Sequence, residues 1–189
     1  MLRLLVIIVL IVSISCNSDK SETQDSIASV QTEEPINPIT TVTDRYAVWT
    51  SEPYELKLDM TPLEDGVFDM VIRMNLKGGA HYVSPNAKRD FKGKFMIKID
   101  DTDKLEHLSE LLETPRSVEE FDPHPFVNGN VNWVRENTRY NRQLKPLVEN
   151  NFSVNGLIQF TIEPQCTLEK IPFVITYEDG HMWVEIARC

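Results

Sequence analysis

The chain has 189 residues, 41% of them hydrophobic and 25% charged, a balance that suits one well-cored domain plus a tail. Its formal net charge of −10, with no basic stripe that reverses it locally, argues against nucleic acid as a partner, because nothing would neutralise the phosphates. Three cysteines, Cys16, Cys166 and Cys189, are too few for a disulfide scaffold.

The N-terminus begins with Met1-Leu2-Arg3, a positive start, and continues through the apolar run Leu4 to Val12. A bilayer span needs about 20 apolar residues, so this run fits the core of a signal peptide over residues 1–15 rather than a transmembrane helix. Val12-Ser13-Ile14-Ser15-Cys16 then resembles a bacterial lipobox, with Ser13 where such boxes usually carry Leu. The resemblance implies that Cys16 becomes the first mature residue and carries a diacylglyceryl thioether. Each buried methylene contributes about 0.8 kcal/mol, so two or three acyl chains would anchor the protein stably. Asn17 in the next position favours sorting to the outer membrane in the enterobacterial pattern, with the periplasmic side or the cell surface both open.

Residues 16–44 form the expected tether. They are rich in Ser, Thr, Glu and Asp and hold almost no large apolar side chains, so they cannot offset their own ordering entropy. Within them, Asp25-Ser26-Ile27 looks like the Asp-Ser/Thr-aliphatic O-glycosylation site used by Bacteroidetes.

From residue 45 to 189 the texture changes to short strands. The clearest is "VFDMVIRMNLK", where Phe68, Met70, Ile72, Met74 and Leu76 alternate with Val67, Asp69, Val71, Arg73 and Asn75, the period of a half-buried strand. "YELKLDM" (54–60) and "KFMIKID" (94–100) repeat the alternation at shorter length. The stretch "DTDKLEHLSELLETP" (101–115) spaces Leu105, Leu108, Leu111 and Leu112 as a helix would, behind an Asp/Thr cap and before Pro115, so a short helix or irregular insertion is expected near 103–114. "VNWVREN", "TRYNRQL", "SVNGLIQFTI", "IPFVITYE" and "HMWVEIAR" follow, the last two separated by the turn residues Asp179-Gly180. Eight or nine strands at this spacing predict an all-β fold, an immunoglobulin-like sandwich.

Catalytic and metal-binding patterns are sparse. His81, His107, His124 and His181 stand far apart, without a His-x-His or Cys-x-x-Cys pair, so neither metal nor other cofactor is expected. Ser84, in "VSP", lacks the Gly-x-Ser-x-Gly setting of a nucleophile elbow. The carboxylate pairs Glu119-Glu120 and Asp100-Asp101 fall in expected loops, where such pairs are solvated. Phe126, Trp133 and Tyr140 are candidates for an exposed aromatic patch, with burial in the core as the other fate of these residues.

Cys166 and Cys189 are the more informative residues. A hairpin about Asp179-Gly180 with equal arms would set Cys189 opposite Lys170, only four residues from Cys166. A bridge is then geometrically feasible, and closing a loop of about 24 residues would contribute roughly 3 kcal/mol. A structural disulfide, two free thiols and a redox-active pair all remain open. The carboxylate in "EPQC" disfavours the thiolate that a redox role requires.

Three stretches carry a family resemblance. "MVIRMNLKGGAHYVSP" is similar to a strand ending in a Gly-aromatic-His-x-Tyr-Ser-like corner, with His81, Tyr82 and Ser84 in matching places; "KGKFMIKID" follows as the next core strand. "FSVNGLIQFTIEPQCTLEKIPFVI" sets Gly156, Cys166 and Phe173 in register with a Gly…Cys-x-x-Pro…Phe segment. Over about residues 50–178 the chain therefore resembles the N-terminal periplasmic domain of the thiol:disulfide interchange protein DsbD, the disulfide bond corrector type of domain. The resemblance implies an immunoglobulin-like sandwich that passes electrons through two cysteines about six residues apart. Here Cys166 matches the second, but the strand before it reads Phe160-Thr161-Ile162-Glu163, without a cysteine, and Thr167-Leu168 replace the usual prolines. The family's disulfide cannot form.

Two functions from different classes follow. The first is a non-catalytic, lipid-anchored binding or assembly module of the cell envelope, held to the membrane through Cys16, with a protein partner. The second is a thiol–disulfide exchange protein that uses Cys166 with Cys189.

Overall fold

A computed structural model describes residues 46–100 and 103–187; the signal peptide and tether expectations, and with them Cys16 and Cys189, lie outside these residues. Thirteen strands follow in chain order among the described residues. They are β1 (Ala47–Ser51), β2 (Tyr54–Pro62), β3 (Phe68–Leu76), β4 (Tyr82–Val83), β5 (Met96–Ile99), β6 (Leu105–His107) and β7 (Leu112–Thr114). After these come β8 (Glu119–Asp122), β9 (Gly129–Val134), β10 (Thr138–Pro146), β11 (Phe152–Ile162), β12 (Thr167–Glu178) and β13 (His181–Ile186).

Every pairing is antiparallel. One sheet runs β1-β2-β3-β10-β6, with β7 also on the outer edge of β10; the second runs β13-β12-β11-β5; a small third sheet runs β4-β9-β8. The two large sheets bury the alternating positions that the sequence picks out. Leu56, Leu58, Met70, Ile72 and Met74 come from the first, and Ile158, Phe160, Ile171, Phe173 and Val184 from the second; all are at most 2% exposed. The result is an immunoglobulin-like β-sandwich, as the strand texture predicts.

The expected helix near 103–114 is instead β6 and β7, two three-residue strands on the edge of β10. The leucine spacing does not describe a buried face: Leu105 is buried, but Leu108 and Leu112 are 42% and 64% exposed. Leu144↔His107 and Tyr140↔Glu113 pairings satisfy the backbone that a helix would have satisfied internally. The segment between them leaves the sheet, held where the Leu108 amide donates to the Gln143 carbonyl and the Gln143 amide to Ser109 Oγ.

The turn chemistry at Asp179-Gly180 works as read. Both residues have positive φ (49° and 79°), and β12 pairs β13 from Glu178↔His181 to Phe173↔Ile186.

Between the large sheets lies a cluster of aromatic rings. Phe95 stacks on Tyr140 at 4.5 Å, Tyr54 meets Phe160 edge-on at 5.1 Å, and Tyr82 packs 5.5 Å from both Phe95 and Phe160. The Tyr82 and Tyr140 hydroxyls share a hydrogen bond of 2.9 Å, so the polar ends of two buried rings satisfy each other. Across the sandwich, the Tyr54 hydroxyl donates to Glu169 Oε2 at 2.7 Å, joining β2 to β12.

Candidate functional site

The β11–β12 hairpin is long because its two arms alternate in phase for eleven pairs, from Phe152↔Tyr177 to Ile162↔Thr167. Its tip is Glu163-Pro164-Gln165-Cys166. Cys166 closes the turn in the left-handed region, at φ 53°; it is exposed and forms no disulfide among the described residues. Cys189, its expected partner, lies outside the described residues.

The tip is not isolated. His81 and Glu163 form a two-way backbone bridge: the His81 amide donates to the Glu163 carbonyl at 3.1 Å, and the Glu163 amide to the His81 carbonyl at 2.8 Å. The family-like corner "HYVSP" is therefore fastened to the base of the Cys166 turn. The His81 ring stands edge-on to Trp133 at 4.9 Å, and Trp133 Nε1 donates to Asp122 Oδ2 at 2.9 Å. One line of contacts thus runs from the Cys166 turn through His81 and Trp133 of β9 to Asp122 of β8. The bonds that Asp122 accepts, from the His124 amide first and from Trp133, hold its carboxyl below the usual range.

The β8–β9 arm at the end of this line is a hairpin with its own small core of Val83, Ala87 and Val131, covered by Phe91, Val127 and Trp133. Glu119 and Glu120 lie on strand β8 rather than in a loop, because they pair in register with Asn132 and Val131. Their carboxylates meet Lys88 at 3.2 Å and Arg135 at 2.9 Å, which leaves no free pair for acid–base work. The arm exposes apolar side chains: Val118 is 80%, Phe121 64% and Phe126 92% exposed. Pairing on β8 comes from β9 alone among the described residues, so the outer backbone edge of the arm is open.

The three candidate aromatic residues divide. Tyr140 is wholly buried in the ring cluster, Trp133 is half-buried in the contact line, and Phe126 stands in solvent beside His124. They do not form one patch.

Ser84 is also placed against chemistry. It is fully buried, its Oγ donates to Glu113 Oε2, and the same Oγ accepts the Asn86 amide at 2.9 Å. Glu113, 4% exposed, further accepts the Asn86 side-chain amide and the Ser117 amide. A serine so occupied, with no histidine bonded to it, is a structural clasp that ties the 84–87 turn to β7. Sequence reading passed over Glu113, because nothing in "LLETP" marks its carboxylate as buried. Among the described residues no group of three or more His, Cys, Asp or Glu side chains is placed to hold a metal ion.

No protein-family model and no curated protein matches the sequence. Solved structures do resemble it in fold. The GAE domain of GGA2p from Saccharomyces cerevisiae is 10% identical with a TM-score of 0.39, covering 71% of this chain and 99% of that one. The yeast GGA1 GAE domain is 8% identical with a TM-score of 0.38, covering 68% and 96%. The N-terminal domain of DsbD from Neisseria meningitidis, in the reduced form, is 10% identical with a TM-score of 0.39, covering 69% and 89%. What these share with the present chain is a similar β-sandwich fold.

Proposed function

We propose that this protein is a lipid-anchored module of the bacterial cell envelope that binds a protein partner and performs no chemistry of its own. The observation that carries this reading is the β8–β9 arm, where two phenylalanines and a valine stand in water beside an open strand edge. Burying a phenylalanine side chain stabilises a protein by roughly 1.5–3 kcal/mol, so residues this exposed forgo much of what folding could gain from them. Surfaces of that kind serve recognition more often than stability. The lipobox-like stretch ending at Cys16 and the polar residues 17–44 would hold the arm away from the membrane. The Ser84–Glu113 clasp and the His81–Glu163 bridge support the reading, since they hold the turns beneath the arm in place.

Two arms test it. Cys16→Ser should release the protein from the membrane fraction. A photo-crosslinking residue at position 126 should form a discrete adduct in cells, while one at exposed Leu147, outside the arm, should not. Equal adduct patterns at both positions would remove the arm from consideration.

The second function, thiol exchange, draws on the exposure of Cys166 at the hairpin tip. A free-thiol count followed by titration in glutathione buffers separates the two. A Cys166–Cys189 bridge with a potential below about −300 mV is structural, and a higher, titratable potential marks an exchange pair.

A further inference from the structure

The sequence contains two Asn-Gly dipeptides, Asn128-Gly129 and Asn155-Gly156, with identical local chemistry and opposite surroundings. In such a pair the backbone nitrogen of the glycine can attack the side-chain amide carbon of the asparagine. The C–N bond to the amide nitrogen breaks, ammonia leaves with the proton displaced from the backbone nitrogen, and a five-membered imide forms. Water then opens the imide to aspartate or isoaspartate. No oxidant or enzyme is required. Glycine permits the attack because it lacks the Cβ that hinders the approach.

We propose that Asn128 is a site of spontaneous conversion of amide to acid, and that Asn155 is protected by its place in the fold. Asn155 and Gly156 lie in β11, the strand flanked on both sides by partners. Gly156 pairs with Phe173 of β12 and with Ile99 of β5, and the Asn155 carbonyl accepts the Asp100 amide at 2.9 Å. Reaching the cyclic geometry there means opening the middle of a four-stranded sheet. Asn128 sits at the end of the β8–β9 turn, exposed, at φ 35°, and its backbone is fastened by the Val127 and Asn128 amides to the single His124 carbonyl. Turns of this kind open locally at a small fraction of the global cost.

The surroundings give the product a consequence. Arg89 lies across this turn: its Nη1 donates to the Val127 carbonyl at 2.8 Å and would stand 2.6 Å from a Cβ at Gly129. Its guanidinium also lies over the Phe91 ring, 4.8 Å from the centroid. A carboxylate formed at position 128 would add a negative charge to the turn that Arg89 spans, two residues from Phe126. The conversion therefore changes the charge of the exposed arm itself, and the inference stands whether or not that arm binds a partner.

The test is a timed incubation of the mature chain at mildly alkaline pH, folded and in concentrated urea, with peptide mass mapping of both dipeptides. Folded, the 128–129 peptide should convert faster than the 155–156 peptide by a factor of roughly ten or more, reflecting local against global opening. In urea the two should convert at similar rates, which shows that the fold and not the sequence sets the difference. Gly129→Ala should remove the excess conversion at Asn128; its Cβ approaches closely only the far end of the flexible Arg89 side chain, with the Val127 carbonyl at an ordinary 3.7 Å, so the variant folds. Equal rates in the folded protein, or an Asn128 that survives intact while the urea sample converts, would overturn the proposal.

Discussion

Gly156 is the position where the packing makes its sharpest demand. It lies directly opposite Phe173, and a Cβ added to it would stand 2.2 Å from Phe173 Cζ, 2.4 Å from Cε2 and 2.7 Å from Cε1. Non-bonded carbons settle at about 3.5–4.0 Å, so Gly156→Ala requires the ring to retreat by about 1.3 Å. The ring has nowhere to go, since Phe173 is 1% exposed and its strand neighbours Ile171 and Ile175 are wholly buried. Overpacking of this kind costs roughly 1–3 kcal/mol, while replacing a strand glycine by alanine returns about 0.5–1 kcal/mol. The middle of these two ranges leaves an expected net loss of about 1 kcal/mol. With a urea slope near 2 kcal/mol per molar, the unfolding midpoint of the mature chain should fall by about 0.5 M.

The same substitution in a Phe173→Leu background supplies the control. Leucine has none of the three clashing ring atoms, so there Gly156→Ala should be neutral or stabilising by up to about 1 kcal/mol. A change of sign between backgrounds is the signature of the contact. If Gly156→Ala is harmless in the wild-type chain, or equally harmful in both backgrounds, the close approach of ring and backbone is not what selects glycine there.

Other consequences follow from the buried polar groups. Glu113→Ala leaves the Ser84 hydroxyl, the Asn86 side chain and the Ser117 amide without their acceptor; at about 1–3 kcal/mol each, a loss of roughly 3 kcal/mol or more in urea unfolding is expected, with a smaller loss for Glu113→Gln. Burial raises the phenols of Tyr82 and Tyr140 well above the ordinary 10.0, and burial with the Glu169 bond does the same for Tyr54. Above pH 10 the unfolded chain sheds these protons and the folded one keeps them. Stability should therefore be undiminished by these groups below pH 10 and fall as pH rises beyond it, with their phenolate absorbance appearing only on unfolding. His107 titrates below the usual 6.5, first through burial and second through the Arg142 charge. Its contribution should be complete above that pH and shrink as pH falls through the lowered value, which an imidazole NMR titration checks.

The sequence determined the sandwich because its signal is local. Period-two alternation in "VFDMVIRMNLK" is a property of neighbouring residues, and a strand buried on one face must show it. The Asp179-Gly180 turn was equally legible, since two consecutive positive φ angles require that chemistry. Gly156 and Phe173 could be singled out as residues, but not as a contact, because their approach depends on the register of two strands. Local pattern misled where tertiary pairing had the last word. Leu105, Leu108, Leu111 and Leu112 fit a helix by spacing, yet the free edge of β10 offers backbone partners that draw the segment into β6 and β7. The site belongs to the same class of facts. Nothing along the chain says that Tyr140 is core while Phe126 stands in water, or that Glu113 lies buried against Ser84. Burial is decided by which surfaces the sheets bring face to face, and that is a property of the folded whole.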